Sequence, residues 1–415
     1  MDGKDAARDG LELEEMRVER ISSLASDRLR VCLLLVFAGL AVGSGSGCAS
    51  LRCKAQDPYH RPCAEAFAET DDGWKIGIRR IRPLHPDPGK LPVILCHGLG
   101  LNGTFWTLTD DHLPAQLADQ GYEVFICDLR GSGASQKVGP IGKVNSALRQ
   151  TPLLEVGEGR WNVDHLIQYD VPAVLRFVQA ETGRDRVNWI GHSLGGMLMF
   201  AYLETSPESW RIANFVGMGA TVIQDTYPQT KMLHANRGLR VMLQVISTGR
   251  IARPLMWYRP SILAKIDGFY YTTANVDKKT IDRFYGYALE NPGRGALKQL
   301  DPYLEQGRFL SADRQFDYSA NLGRVGTPLL MVAGEADGMS DIASTRRTFN
   351  AVASADKALM RVGREHGHAD DYGHCDLVWS RYAALEVFPP VIEWLDRRQP
   401  SVTTVWPVGQ NSVKR

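Results

Sequence analysis

The 415-residue sequence has almost no net charge, with 48 Lys and Arg against 47 Asp and Glu and a formal charge of +1. It contains no block of basic residues and no internal repeat. A protein that binds nucleic acid usually presents a basic surface that neutralises phosphates. We therefore expect no nucleic-acid partner. Composition favours a globular protein, with 44% hydrophobic and 23% charged residues.

The sequence also lacks an apolar run of the roughly 20 residues that a membrane-spanning helix needs. The longest run, VCLLLVFAGLAV at 31–42, has twelve residues; Arg28 and Arg30 precede it, and small residues leading to Cys48 follow it. Basic, apolar and small-residue segments in that order are typical of an export signal. We predict that 1–48 is a signal peptide or lipoprotein anchor and that the protein is exported, periplasmic or membrane-attached. Cys48 resembles a lipidation site, although Gly45 stands where an aliphatic residue is usual. An uncleaved anchor or an internal helix remains the alternative.

The seven cysteines form no C-x-x-C motif, which argues against a zinc ribbon or a thioredoxin-like site. Cys96 and Cys127 end short apolar runs, so we predict that they are buried free thiols. Cys53 and Cys63 flank a polar, proline-containing stretch. They would pair in an oxidising compartment or stay as two thiols of a linker, and the sequence does not decide.

Strand-like and helix-like patterns alternate over most of the chain, which predicts a mostly parallel sheet covered by helices on both faces. The pattern occupies 69–220 and resumes over 321–398. Between them, 221–320 lacks strand-like runs and is predicted to be a helical lid over the carboxyl edge of the sheet. A linker at 49–68 and a tail at 399–415 complete the predicted organisation.

The strongest chemical signal is GHSLGG at 191–196, which fits the pattern G-x-S-x-G. The strand-like VNWI ends just before it and a helical pattern begins just after it. A nucleophilic serine is presented by such a strand–turn–helix, because the tight turn needs glycines around it. We predict Ser193 as the nucleophile.

A serine hydroxyl needs a base to take its proton, and in this arrangement the chain order is serine, acid, histidine. The acid is expected after the strand-like TPLLMVA at 327–333, at the edge of the sheet where Ser193 also lies. Asp337 is our choice, and Glu335 and Asp341 are the rivals.

The base is expected between the last strand and the last helix, where His366, His368 and His374 occur. We choose His374 for its place just before the terminal helical region. Three histidines so close together also suggest a metal cluster, but the spacing of helical ligands is missing. We expect neither a metal nor an organic cofactor.

The reaction also needs donors for a developing oxyanion. The residue after the nucleophile, Leu194, supplies one backbone N–H. The second is predicted from Leu99, in the CHGLG loop at 96–100 that follows the first buried strand. The sequence does not identify the residues that bind the substrate or indicate an oligomeric state.

Several motifs together resemble the acid-lipase branch of the α/β hydrolases and, equally, the hydrolases related to polyhydroxyalkanoate synthases. They are LPVILCHGLGLNGTFW (91–106), GYEVFICDLRGSGAS (121–135), VNWIGHSLGGML (187–198), TPLLMVAGEAD (327–337) and YGHCDLVW (372–379). The likeness covers about 70–220 and 320–397 and is weak through the intervening segment. It implies the α/β-hydrolase fold, a helical lid and a Ser193–Asp337–His374 triad. The synthases carry cysteine as nucleophile, so Ser193 favours hydrolysis over polymerisation.

The sequence therefore predicts a serine hydrolase that cleaves carboxylic esters with medium or long acyl chains. Its partner would be a small-molecule or lipid ester, with membrane attachment through the N-terminus as a further expectation. An acyltransferase uses the same three residues and stays an alternative. A non-catalytic binding protein on the same fold is the alternative from another class.

Overall fold

The computed structural model describes residues 63–136, 161–224, 268 and 270–399. Its centre is an eight-stranded sheet with the order β1-β2-β4-β3-β5-β6-β7-β8. Strand β2 runs antiparallel to both of its neighbours, and the remaining pairs are parallel. The strands are β1 (Cys63–Glu69), β2 (Lys75–Ile81), β3 (Val93–Cys96), β4 (Val124–Cys127), β5 (Val187–His192), β6 (Ile212–Met218), β7 (Leu329–Gly334) and β8 (Lys357–Val362).

Helices connect the parallel strands and cover both faces of the sheet. Two of them continue through single π-helical turns, at Leu166–Asp170 and Phe284–Ala288. The helices are α1 (Leu113–Asp119), α2 (Val163–His165), α3 (Val171–Thr182), α4 (Leu194–Thr205), α5 (Lys278–Arg283), α6 (Arg294–Gln306), α7 (Ile342–Ala351), α8 (Asp376–Trp379), α9 (Ala383–Glu386) and α10 (Phe388–Asp396).

The core consists of two apolar clusters, one on each side of the sheet. Successive residues of a strand point to opposite faces. In β3, Ile94 and Cys96 accordingly join one cluster while Val93 and Leu95 join the other, and all four are fully buried. The continuous apolar runs of the central strands are therefore explained by burial on both faces. The α/β-hydrolase fold predicted from the sequence is confirmed.

The sheet begins earlier than the sequence analysis expected. Strand β1 starts at Cys63, inside the segment predicted to be a linker (49–68), and pairs with β2 from Cys63↔Ile81 to Glu69↔Lys75. The CAEAFAE segment has weak strand propensity, because alanine and glutamate are depleted in strands. The segment forms a strand because it pairs with β2 across the turn at Asp72 and Gly73, and propensity alone did not predict this.

Several predictions concern residues outside those that the structure describes. They are the export signal at 1–48, the lipidation of Cys48, the pairing of Cys53 with Cys63, and the tail beyond Gln399. Most of the first half of the predicted lid, 225–267, also lies outside, while 270–320 contains α5 and α6. Among the described residues, no helix has the length and apolar character needed to cross a bilayer. Cys96 and Cys127 are buried free thiols, as predicted.

Candidate active site

Ser193 lies in the sharp turn between β5 and α4, with φ 52° and ψ −119°. Arg314 is the one other non-glycine residue with positive φ in the described part of the chain. The turn closes tightly: a Cβ on Gly191 would collide with the backbone of Gly195, and a Cβ on Gly195 with that of Cys96. The glycines of GHSLGG are thus required by close backbone approach, and the turn holds the half-buried Ser193 above the sheet.

Asp337 and His374 meet at the same edge of the sheet. His374 Nδ1 lies 2.9 Å from Asp337 Oδ2 and 3.2 Å from Oδ1, and both residues are almost fully buried. The N–H groups of Met339 and Ser340 each donate to Oδ1 at 2.8 Å. Burial alone would raise the pKa of Asp337, but His374 and these two donors outweigh it and hold the pKa below its ordinary value. The carboxylate is therefore charged at neutral pH and able to orient the imidazole.

The end of β6 joins Ser193 to this pair. The Ser193 N–H donates to the carbonyl oxygen of Met218 at 2.9 Å. A Cβ on the next residue, Gly219 (φ 54°), would lie 3.1 Å from His374 Nδ1 and 3.2 Å from Asp337 Oδ2. A side chain at position 219 would therefore displace the imidazole. The structure thus brings Ser193, Asp337 and His374 to one place, where β5, β6 and β7 end.

The rival acids occupy other positions. Glu335 binds the guanidinium of Arg361 at 2.7 Å and His366 at 3.0 Å, while Asp341 caps α7 by accepting from the N–H groups of its first turn.

The rival histidines, His366 and His368, contact Glu335 and Gly363 and not Asp337. His368 Nδ1 contacts the backbone of Gly363. His366, Glu335 and Glu365 hold three potential metal-ligand atoms within 4.8 Å of one another. Arg361 forms ion pairs with both carboxylates, at 2.7 Å to Glu335 and 3.4 Å to Glu365.

His97 fixes the loop from which the second oxyanion donor is predicted. The N–H of Leu129 donates to His97 Nε2 at 3.1 Å, so that nitrogen carries no proton in the neutral ring. The proton is then on Nδ1, which lies 2.8 Å from the carbonyl oxygen of Gly98 and donates to it. The Gly98–Leu99 peptide is trans, so its N–H points away from that carbonyl. His97 therefore sets the direction in which the Leu99 N–H points.

Gly98 brings this loop against Ser193. A Cβ at Gly98 would lie 3.0 Å from Ser193 Cβ, so a larger residue would push the loop away. Leu194 is the first residue of α4, where backbone N–H groups have no partner within the helix. Both predicted donors thus flank Ser193.

His192 is a site residue that the sequence analysis did not identify. Its ring is fully buried between Phe105 and His374, with centroid distances of 4.5 and 4.7 Å. Its Nε2–H donates to the carbonyl oxygen of His374 at 2.9 Å. Burial, reinforced by the neighbouring His374, lowers the pKa of His192 to about 3. A neutral imidazole therefore supports the backbone of His374; as the variable position of G-x-S-x-G, His192 gave no signal in the sequence.

Comparison with known proteins agrees with this architecture. A family model described as alpha/beta hydrolase fold matches residues 92–380, more than half of the chain. Lipase member K of Homo sapiens is 26% identical over 58% of this chain and 62% of its own length. Human lysosomal acid lipase/cholesteryl ester hydrolase is 31% identical over 41% of this chain and 43% of its own length. The chain thus spans about two fifths to three fifths of these relatives.

A soluble variant of monoglyceride lipase from Saccharomyces cerevisiae shares the fold, with a TM-score of 0.53 and 20% identity over 82% of this chain and 96% of that one. The lipase relatives confirm the resemblance to the acid-lipase branch, whereas the likeness to polyhydroxyalkanoate-synthase relatives stays a prediction. From the extent of the family match and the order of the eight strands, we conclude that this chain belongs to the α/β-hydrolase fold family.

Proposed function

We propose that this protein hydrolyses carboxylic esters with medium or long acyl chains, through an acyl-enzyme formed on Ser193. The observation that carries the proposal is the bidentate approach of His374 Nδ1 to Asp337, beside a serine in a strained turn. Backbone strain persists where the surrounding structure enforces it, and it is concentrated at functional sites. The lipase relatives support an ester as the substrate class.

In the first half of the reaction, Ser193 Oγ attacks the ester carbonyl carbon while His374 Nε2 takes the hydroxyl proton. Asp337 keeps the Nδ1 proton of His374 in place, which leaves Nε2 free to accept. The tetrahedral intermediate places its negative oxygen between the N–H groups of Leu99 and Leu194. His374 then gives the proton to the leaving alcohol oxygen, and the C–O bond breaks.

In the second half, water replaces the alcohol. His374 takes a proton from the water as it attacks the acyl carbon, and returns that proton to Ser193 Oγ when the acid leaves. Each proton taken is given back, so the cycle restores the free enzyme.

The test is hydrolysis of p-nitrophenyl esters from acetate to palmitate by the wild type and by Ser193→Ala. We expect turnover by the wild type and a loss of at least about 10⁴-fold in the variant, because the hydroxyl that forms the acyl-enzyme is gone. Ser209→Ala is the matched control, since Ser209 lies in the short helical turn before β6 and outside the site. A fluorophosphonate probe is expected to label the wild type and the control but not Ser193→Ala.

The alternatives give other results. Labelling of Ser193 without turnover of any ester in water, but with turnover when an alcohol or amine acceptor is added, would indicate an acyltransferase. The absence of both labelling and turnover would contradict the catalytic proposal and favour a binding protein.

A further inference from the structure

The peptide group that follows His374 is bound on both of its sides. Its carbonyl oxygen accepts from His192 Nε2–H at 2.9 Å, and its N–H, which belongs to Cys375, donates to the carbonyl oxygen of Tyr270 at 2.7 Å. Because a peptide group is planar, these two bonds fix the backbone from which the imidazole of His374 projects. Asp337 fixes the ring itself, at Nδ1. The direction of His374 Nε2 therefore depends on His192 as well as on Asp337.

The ring of His192 also contacts the imidazole whose backbone it binds. The ring centroids of His192 and His374 are 4.7 Å apart, and the centroid of Phe105 lies 4.5 Å from that of His192. Phe105 belongs to a short 3-10 helix (Gly103–Thr107) that is buried throughout. A side chain in a closely packed core has little room to change its rotamer. The Nε2–H of His192 therefore stays directed at the carbonyl oxygen of His374.

The second ring nitrogen of His192 faces the loop that carries Leu99. A Cβ on Gly98 would lie 3.2 Å from His192 Nδ1, so the backbone at Gly98 covers this nitrogen. Within the part of the chain that the structure describes, the buried Nδ1 has no hydrogen-bond partner. A buried acceptor without a donor lowers stability, and in a folded protein such a group calls for an explanation. The one hydrogen bond of this ring goes to His374.

This arrangement requires that the His192 ring stay neutral. A proton on Nδ1 would find no acceptor beside Gly98, and its charge would lie next to the imidazole of His374. Burial, reinforced by the neighbouring His374, lowers the pKa of His192 to about 3. The single ring proton is therefore on Nε2 at neutral pH, and the bond to His374 can persist while His374 takes up and releases a proton in the proposed reaction.

We propose that His192 is a positioning residue for ester hydrolysis: its Nε2–H holds the backbone of His374 and so keeps His374 Nε2 directed at Ser193 Oγ. The inference rests on the proposed function and adds to it the residue that precedes Ser193. His192 is fully buried, so it acts through His374 and not by contact with the ester. A misaligned base slows the reaction without weakening the binding of the ester, so the effect should appear in kcat and not in KM.

The experiment compares three variants with the wild type in the hydrolysis of p-nitrophenyl butyrate. In His192→Gln the amide nitrogen can reach the place of Nε2, whereas in His192→Asn it reaches only the place of Nδ1. His192→Phe keeps the size of the ring and has no donor. His85→Phe is the matched control, because His85 is exposed in the loop between β2 and β3. Circular dichroism and the melting temperature check that each variant is folded.

The donor and not the ring should determine the rate. We expect kcat to fall about tenfold or more in His192→Asn and His192→Phe, with KM within about twofold of the wild type. A tenfold loss corresponds to about 1.4 kcal/mol in the activation free energy, which is the size of one hydrogen bond. His192→Gln should keep kcat within about threefold of the wild type, and His85→Phe should leave it unchanged.

Fluorophosphonate labelling of Ser193 gives an independent measure. Labelling also needs His374 to take the serine proton, but it needs no binding of the ester. The labelling rate should therefore fall in the same variants as kcat and be restored in His192→Gln. A loss of ester binding alone would leave the labelling rate at the wild-type value.

Two results would overturn the inference while ester hydrolysis stands. One is a folded His192→Asn or His192→Phe variant that keeps kcat within about twofold of the wild type and changes only KM. The other is a loss of kcat as large in His192→Gln as in His192→Asn, because the ring and not its donor would then matter. If His192→Phe does not fold, the two amide variants carry the test. A wild type that neither hydrolyses any ester nor reacts with a fluorophosphonate would instead contradict the proposed function itself.

Discussion

The role inferred for His97 leads to a sharp prediction about catalysis. The imidazole is 2% exposed and joins two backbone groups: it accepts from Leu129 N–H and donates to the carbonyl oxygen of Gly98. His97→Ala removes both bonds, and also the 3.1 Å contact of Nε2 with Ser132 Oγ, without touching the proposed triad. We expect the Gly98–Leu99 peptide then to be free to rotate, so that the Leu99 N–H is no longer held in the direction that its proposed oxyanion role requires.

The size of the effect follows from what the donor does. Losing one oxyanion donor costs about 100-fold to 1,000-fold in kcat, or about 2.7–4 kcal/mol. KM should change little, because the bond to the oxyanion strengthens mainly in the transition state. The variant also leaves the buried N–H of Leu129 without its acceptor. We therefore expect a loss of about 1–3 kcal/mol in the free energy of unfolding.

The assay is steady-state hydrolysis of p-nitrophenyl butyrate, which separates kcat from KM. His97→Asn is the informative companion, because its side-chain amide provides a donor close to the position of Nδ1. His97→Asn should recover part of the lost kcat. If the loss of kcat in His97→Ala came only from a less stable fold, kcat would instead change in step with the free energy of unfolding. A folded His97→Ala variant with wild-type kcat, or with only a raised KM, would refute the reasoning.

Two further predictions concern buried carboxyl groups. In Asp337→Asn the oxygen must stay with the N–H donors of Met339 and Ser340, so the amide nitrogen faces His374 and forces the proton onto Nε2. That tautomer cannot accept the serine proton, and kcat should fall about 10⁴-fold with KM and melting temperature nearly unchanged; a loss below about tenfold would contradict the assignment. Glu204 is 6% exposed, and burial raises its pKa from 4.5 to about 9. Since the unfolded state loses this proton above pH 4.5 and the folded state keeps it, stability falls as pH rises between those values. Glu204→Gln should thus raise the free energy of unfolding by about 3 kcal/mol at pH 7, with the gain shrinking by about 1.4 kcal/mol per pH unit towards acid. Urea unfolding at several pH values measures this gain in the free energy of unfolding, with Glu305→Gln at an exposed position as the control. A gain that does not depend on pH would contradict the argument.

The parts of the site that the sequence predicted are those with a local cause. The turn at Ser193 needs glycines next to it in the chain, and the strand and helix that flank it have patterns of their own. Asp337 could be chosen because acids that follow a buried parallel strand lie at the carboxyl edge of the sheet. His374 was the least local of the three, since three histidines shared its loop. Its contact with Asp337 distinguishes it from the other two.

The features that the sequence did not predict depend on partners far along the chain. Strand β1 has weak propensity and is ordered by pairing with β2. Trp161 follows a segment with no clear pattern, and its place is set by Gly131 and by Gly293, more than 130 positions away. The terminal helical region is divided at Val387 into α9 and α10. Pro389 and Pro390 lack N–H donors, so they fit the first turn of a helix and not its interior.

One segment, 270–290, contacts both the loop that carries His374 and the loop that carries Leu99. At one end of it the carbonyl oxygen of Tyr270 accepts from the N–H of Cys375, and Asn275 donates to the Asp371 carbonyl and to Asp376, on either side of His374.

At the other end of the segment, Ala288 and Glu290 form backbone hydrogen bonds with Asn102 and Gly100, next to Leu99. The aromatic stack of Tyr271 and Phe284 on Trp379 ties the two ends to the same helix, α8. The geometry of His374 and Leu99 therefore depends on 270–290, which carries none of the motifs that identify the family. The segment makes three of these contacts through backbone atoms, at Tyr270, Ala288 and Glu290. It makes the others through the side chains of Asn275, Tyr271 and Phe284. The motifs therefore indicate the proposed catalytic residues, whereas residues that position them lie in a segment that carries no motif.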